Sequence, residues 1–301
     1  MSDVRRGVWY GIAAYALWGL FPLYWPLLEP AGAVEILAHR VLWSLVVVLV
    51  ILTCWRRWGY LAGLLRGGAR ARAGLLVIAG SIIGVNWGLY IWGVNNGRVL
   101  EVALGFFVNP LIAVLLGVLV FGERLRPLQW AAVGFGVAAV VVLSVGYGRL
   151  PWLALVLGTV FATYSSLKKK ADVDAVESLA VETAALTPAA LVYVLVLEAA
   201  GAATFGHVSV GHTLLLVSAG VTTAIPLLFF GAAAIRIPLT LIGLLQYLAP
   251  TAQLLIGVFV YGEPLPPSRL AGFVLVWFAL LLLVLDGFRT ARPRRLVESP
   301  A

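Results

Sequence analysis

Charge is scarce in this chain: Asp, Glu, Lys and Arg make up 11% of its 301 residues, against roughly 25% in an ordinary soluble domain. With 62% of the residues hydrophobic, a water-soluble fold of this size has too few polar side chains to cover its surface. Cysteine is nearly absent. The single thiol, Cys54, lies in an apolar run, which excludes a disulfide framework and a cysteine-based metal site. There are only three histidines, no HExxH string, no GxSxG elbow and no GxxxxGKS/T phosphate loop. Metal-assisted hydrolysis, acyl transfer and ATP-driven transport by this chain alone therefore lack their residues. No metal and no cofactor are expected, and the chain is not read as an enzyme.

What the sequence has is hydrophobic length. Uninterrupted apolar runs such as 103–121 and 270–285 fit transmembrane helices. The run at 7–28 follows Arg5 and Arg6 and continues through Pro22 and Pro26; a secretory signal core spans only about 7 to 15 residues, so this run is read as the first span. Ten spans are predicted, at 7–28, 33–54, 73–95, 99–121, 128–146, 151–167, 176–199, 211–231, 237–261 and 268–286. The net charge of +8 does not point to nucleic acid, because the basic residues sit in short stretches between spans, where lipid headgroups and insertion rules account for them. Of the 21 Lys and Arg, 17 fall on one side of this layout, three (Arg98, Arg149 and Arg269) on the other, and Arg40 inside a span. Cytoplasmic loops hold the basic excess, so both termini are expected in the cytoplasm.

The two halves of the chain echo each other. LGFFVNPLIAVLLGVLVFGERLRP at 104–127 aligns without a gap on LLQYLAPTAQLLIGVFVYGEPLPP at 244–267, an offset of 140 that pairs Pro110 with Pro250, Gly117 with Gly257, Gly122 with Gly262 and Glu123 with Glu263. A weaker echo sets AVEILA at 33–38 on AVESLA at 175–180. A unit of five spans must re-enter the membrane upside down in its second copy, giving an inverted repeat suited to alternating access. The expected organisation is a first five-helix repeat at 1–146, an inverted second repeat at 147–287 and a basic cytoplasmic tail at 288–301.

Several strings resemble one family: GIAAYALWGLFPLYW at 11–25, EILAHRVLWS at 35–44, NWGLYIWGVNNGRVLEVALGFFVNPL at 86–111, GERLRPLQW at 122–130, TTAIPLLFFGAAAIRIPLTLIGLLQYLAPT at 222–251 and YGE at 261–263. On these residues the chain is identified as a member of the RarD branch of the EamA family, in the drug/metabolite transporter superfamily. The resemblance runs nearly end to end. It implies the ten-helix drug/metabolite transporter fold, an all-α protein of a bacterial inner membrane, and export of a small metabolite or drug-like solute; the branch carries a chloramphenicol-sensitivity label. TYSSLKK at 163–169 departs from the family, whose members tend to carry a Gly-Leu pair and an Arg there.

An ionisable group near the centre of a span costs about 2.5 to 3.5 kcal/mol on insertion scales and persists where it has a partner or a wet path. Span two holds Glu35, His39, Arg40 and Trp43. Two readings stand for Arg40, a pathway residue or a side chain reaching for the headgroups; the second is favoured for Glu35. Through the weak echo Arg40 sits opposite Glu182, a pair able to form in one state and part in another. Span three carries Asn86, Trp87 and Tyr90, with Asn95 at its end, and a stripe of Gly80, Gly84 and Gly88 read as close helix packing. Span four carries Glu101 and Asn109 with Pro110, and span nine Gln246 and Tyr247 with Pro250. Glu101 is read equally as an ion-pair partner of Arg98 or as a proton carrier, and the two prolines as points where cavity walls bend. His39, Arg40, Trp43, Asn86, Trp87, Tyr90, Asn95, Asn109, Gln246 and Tyr247 are thus the expected solute path, and Glu35, Glu101 and Glu182 the candidates for proton coupling. A channel would need rings of like residues or a carbonyl filter, and neither is evident.

Overall fold

The computed structural model describes residues 3–64, 66, 70–121, 124–234, 236, 237 and 239–290. Among them the regular structure is helical throughout: α1 (Asp3–Gly19), α2 (Phe21–Tyr24), the 3-10 turn η1 (Trp25–Leu28), α3 (Ala33–Cys54), α4 (Trp58–Leu64), α5 (Arg70–Asn95), α6 (Val99–Phe121), α7 (Pro127–Tyr147), α8 (Trp152–Ala171), α9 (Ala175–Ala199), α10 (Val210–Ala234), α11 (Leu239–Leu245), α12 (Leu248–Phe259) and α13 (Pro267–Thr290). Of the paired repeat ends, Gly122 and Glu123 lie outside the described residues, as do residues 291–301 of the expected tail.

Local chemistry sets the boundaries. α7 starts on Pro127, whose missing N–H costs nothing in a first turn, and the Gln129 side chain accepts the Arg126 backbone N–H at 3.0 Å. It stops at Gly148, whose φ of 66° is left-handed, a conformation glycine adopts without a Cβ clash.

Seven helices, α3, α5, α6, α7, α9, α10 and α13, are long and apolar enough to cross a bilayer. An eighth span results if α1 and the segment Phe21–Leu28, bent by 42°, are counted together. The predicted spans at 151–167 and 237–261 fall on shorter apolar helices. α8 runs into Lys168 and Lys170, which cut its apolar part short, and the other segment is broken at Gln246 and Tyr247 into α11 and α12. The result is an all-helical, multi-pass membrane protein. Its outward faces are apolar, with Val145, Val196 and Phe259 largely exposed; this is favourable against lipid and unfavourable against water.

Inside, α7 packs on α13, α6 on α8 and α12, α3 on α9 and α10, α5 on α8 and α9, and α1 on α10 and α12. Small residues permit the closest crossings. A Cβ on Gly220 of α10 would lie 2.4 Å from the Trp43 carbonyl carbon and oxygen of α3, and one on Gly80 of α5 would lie 3.0 Å from Glu182 Cα and O of α9. The Gly80 and Gly84 stripe thus faces α9, and Gly88 faces Leu37 of α3.

Candidate functional site

One end of the bundle, where α3, α6, α8, α10 and α13 begin, is fastened by polar contacts between helices far apart in sequence. Glu101, 2% exposed in the first turn of α6, forms an ion pair with Arg149 at 2.6 Å and accepts the Leu153 N–H at the start of α8 at 3.1 Å. Its hydrogen bond to Glu101 holds Arg149 above the ordinary range of a guanidinium. Arg98, the expected partner of Glu101, lies over the Trp92 ring at 4.9 Å instead. Glu35 accepts the backbone N–H and the hydroxyl of Thr204 at 2.7 and 2.9 Å, tying α3 to the α9–α10 loop. His212 Nε2 donates to the Leu28 carbonyl at 2.9 Å, and the Tyr261 hydroxyl donates to that of Pro22 at 2.7 Å.

Glu263 closes this end of the α6–α12 pair by accepting the N–H groups of Val99 and Leu100, the latter at 3.1 Å. These are donors that a helix N-terminus leaves open. Burial pushes its carboxyl above the usual range, opposed by those two N–H groups and by Arg269. Loss of a cap costs about 0.5 to 2 kcal/mol. Glu263→Ala is therefore expected to raise thiol labelling of a cysteine introduced at Val99, measured in membranes, while Glu263→Gln, which keeps one acceptor oxygen, changes it less.

The opposite end has its own contacts. Arg57, after α3, pairs with Asp174 at 2.6 Å and with Glu177 in the first turn of α9 at 2.8 Å. The hydrogen bond to Asp174, then the charges of Glu177 and Asp174, hold Arg57 above its ordinary value despite partial desolvation. Arg126 pairs with Asp286 at 2.9 Å, joining α7 to α13. Glu182, buried on α9, accepts from Ser178 Oγ at 2.6 Å and the Tyr164 hydroxyl at 3.0 Å and meets Lys168 Nζ at 3.2 Å.

Between the two ends lies Arg40. It is 4% exposed, enclosed by neighbouring helices. Its Nε donates to Thr223 Oγ1 of α10 at 3.0 Å, and its guanidinium carbon lies 4.0 Å from the Trp87 ring, 5.0 Å from that of Trp25 and 5.7 Å from that of Phe21. The phenols of Tyr24 and Tyr90 are close enough to act on its charge. Tyr24 is anchored on the Leu215 carbonyl and Ser218 Oγ, each at 2.8 Å. Tyr90 packs edge-on against Phe106 at 5.8 Å, and its hydroxyl has no hydrogen-bond partner among the described residues.

The other expected path residues divide into two groups. Asn86 Nδ2 donates to the Leu157 carbonyl at 3.1 Å, tying α5 to α8. His39 stacks on Phe205 at 4.6 Å with neither ring nitrogen partnered among the described residues, and Trp43 lies 6.2 Å from the same ring. Asn95 Oδ1 and Asn109 Oδ1 are likewise buried without partners there. Gln246 and Tyr247 occupy the break between α11 and α12. α6 runs on through Pro110, whereas Pro250 sits in the first turn of α12, a position where no N–H is lost from the ladder. Arg40 and Glu182 are not paired here, since each has other partners. Trp25, Thr223, Phe205, Arg149 as partner of Glu101, and the capping by Glu263 were not singled out from the sequence. Of these, Trp25, Thr223 and Glu263 lie in strings that carried the family resemblance.

Residues 5–145 match the model of the EamA-like transporter family. Protein RarD of Streptomyces exfoliatus is 56% identical over 294 residues, 98% of this chain and 93% of that one. An uncharacterized transporter of Pseudomonas aeruginosa is 42% identical over 291 residues, 97% of each chain. A protein known by its crystal structure superposes with a TM-score of 0.60 over 95% of this chain and 98% of its own; at 19% identity the likeness speaks for the fold alone. A relative this similar over nearly its whole length settles membership: the chain belongs to the RarD branch of the EamA-like transporter family.

Proposed function

We propose that this protein is a secondary transporter that exports a small metabolite or drug-like solute across the bacterial inner membrane by alternating access, its two five-helix halves lying antiparallel with both termini in the cytoplasm. The observation that carries the reading is the way interhelix contacts exchange between halves. Gly19 of α1 closes on Ala249 and Ala252 of α12, and Gly158 of α8 closes on Asn109 and Ile112 of α6, the residues 140 positions earlier. Gly80 closes on α9 and Gly220, 140 positions later, on α3. The packing of α1 on α10 has its counterpart in α5 on α8, and that of α3 on α10 in α5 on α9, while α3–α9, α6–α12 and α7–α13 each map onto themselves. These correspondences support ten crossings, counting α8 and the broken α11–α12 as spans. Such symmetry lets one chain reach two states of similar energy by swapping the roles of its halves.

Export is coupled to protons at Glu182 in this reading. Glu35 and Glu101 accept backbone N–H groups at Thr204 and Leu153, which favours structural roles for both. Among the described residues Glu182 is held by side chains alone, those of Ser178, Tyr164 and Lys168, and these can rotate away as a proton enters. The test is efflux of a metabolite and drug panel from proteoliposomes with and without a pH gradient. Stimulation by the gradient is expected, lost in Glu182→Gln and kept in Glu101→Gln. Tags that place the two termini on opposite faces of the membrane would overturn the antiparallel arrangement.

A further inference from the structure

Arg40 brings more donors to its surroundings than its partners among the described residues take up. A guanidinium carries five N–H groups, and that of Arg40 commits only Nε, to Thr223 Oγ1. Neither Nη has a hydrogen-bond partner among the described residues, and their ion pairs use Arg57, Arg126, Arg149, Lys168, His207 and Arg236 but not Arg40. The Trp25 indole N–H, on a ring 5.0 Å from the guanidinium carbon, and the Tyr90 hydroxyl are also buried without partners among the described residues. The rings of Trp87, Trp25 and Phe21 soften the loss of water around the cation, but rings accept no strong hydrogen bond from a planar fork. A buried charge of this kind wants an opposite one.

We propose that the transported solute carries one carboxylate and no ammonium group, and that its carboxylate docks on the two Nη groups of Arg40 between the Trp87 and Trp25 rings. This deepens the transport reading and rests on it. The planar fork of a guanidinium matches the two oxygens of a carboxylate. One cation balances one negative charge, so a phosphate dianion or a dicarboxylate would bring in a charge with no partner. An ammonium group would lack one too: Glu35 is taken up by Thr204 and Glu182 by Ser178, Tyr164 and Lys168, and among the described residues no carboxylate pairs with Arg40. The rings offer the rest of the solute an apolar wall.

The full chain in lipid nanodiscs is to be titrated with acetate, butyrate and phenylacetate, with acetamide, butyramide and phenylacetamide as neutral counterparts, and with phenylalanine as a zwitterion, following thermal unfolding. At least one carboxylate should raise the midpoint by several degrees, with its amide and phenylalanine inert. The shift should vanish in Arg40→Gln and persist in part in Arg40→Lys. If no carboxylate outperforms its amide, or if the shift survives in Arg40→Gln, the proposal is overturned. Should Arg40→Gln fail to fold, Thr223→Val, which withdraws the Nε anchor, must raise the half-saturating concentration several-fold; an unchanged value overturns the proposal equally. Neutral solutes crossing vesicles while no carboxylate binds would remove this inference and leave transport standing, and carboxylate binding with no solute movement would do the reverse.

Discussion

Gly220→Ala is expected to destabilise the protein by about 3 kcal/mol, the upper end of the usual range for forcing atoms into a packed core. The reason is what the new methyl would strike. Its nearest neighbours are the Trp43 carbonyl carbon and oxygen at 2.4 Å and the Ser44 nitrogen at 2.8 Å, all backbone atoms of α3 that no rotamer change can move aside. α3 and α10 must separate, and with them the Arg40 hydrogen bond to Thr223, one turn further along α10. Gly231, on the same helix with open space around it, is the matched control. There alanine should be neutral or mildly stabilising, because glycine is the poorer helix former. Thermal unfolding of both variants in one detergent reads the difference; equal midpoints would mean that α3 and α10 are not in backbone contact.

Arg149→Ala has the second largest expected effect, a loss of about 2 to 3 kcal/mol. Breaking a buried ion pair on one side costs about 3 to 5 kcal/mol, because the surviving charge stays out of water without a partner. The lower figure fits here because the Arg149 side chain is 39% exposed, so water already shares its charge. Glu101, only 2% exposed, is the member left stranded. Arg149→Ala combined with Glu101→Gln should therefore be more stable than Arg149→Ala alone, since the neutral amide carries no uncompensated charge and still accepts the Leu153 N–H. A double variant no better than the single one would mean that the loss does not come from leaving Glu101 without its partner.

Much of the architecture could be read from residue order. The predicted spans at 33–54 and 99–121 coincide with α3 and α6, because Gly32, Gly97 and the polar residues around them interrupt long apolar runs. The break between α11 and α12 left no such mark: neither Gln246 nor Tyr247 is a glycine or proline, and Pro250 lies inside α12. Partnerships were harder to read than helices. Arg98 stands three residues from Glu101 and looked like its counter-ion, yet the pair is made with Arg149, 48 positions away. Trp25 and Thr223 are ordinary in apolar helices until η1 and α10 are laid beside α3, and only then does Arg40 acquire its surroundings. Arg40 itself stood out because a charge inside an apolar run is costly, a property of one position that needs no knowledge of its neighbours.

The carboxylates at the starts of α3 and α9 bear on how the chain is made. Glu35 waits for Thr204, 169 positions further on, and Arg57 for Asp174, 117 positions further on. During synthesis the leading half therefore enters the membrane with these groups unmatched, and it can lock only when the trailing half arrives. A chain halted between the two halves is therefore expected to hold Glu35 and Arg57 without the partners they have in the complete fold.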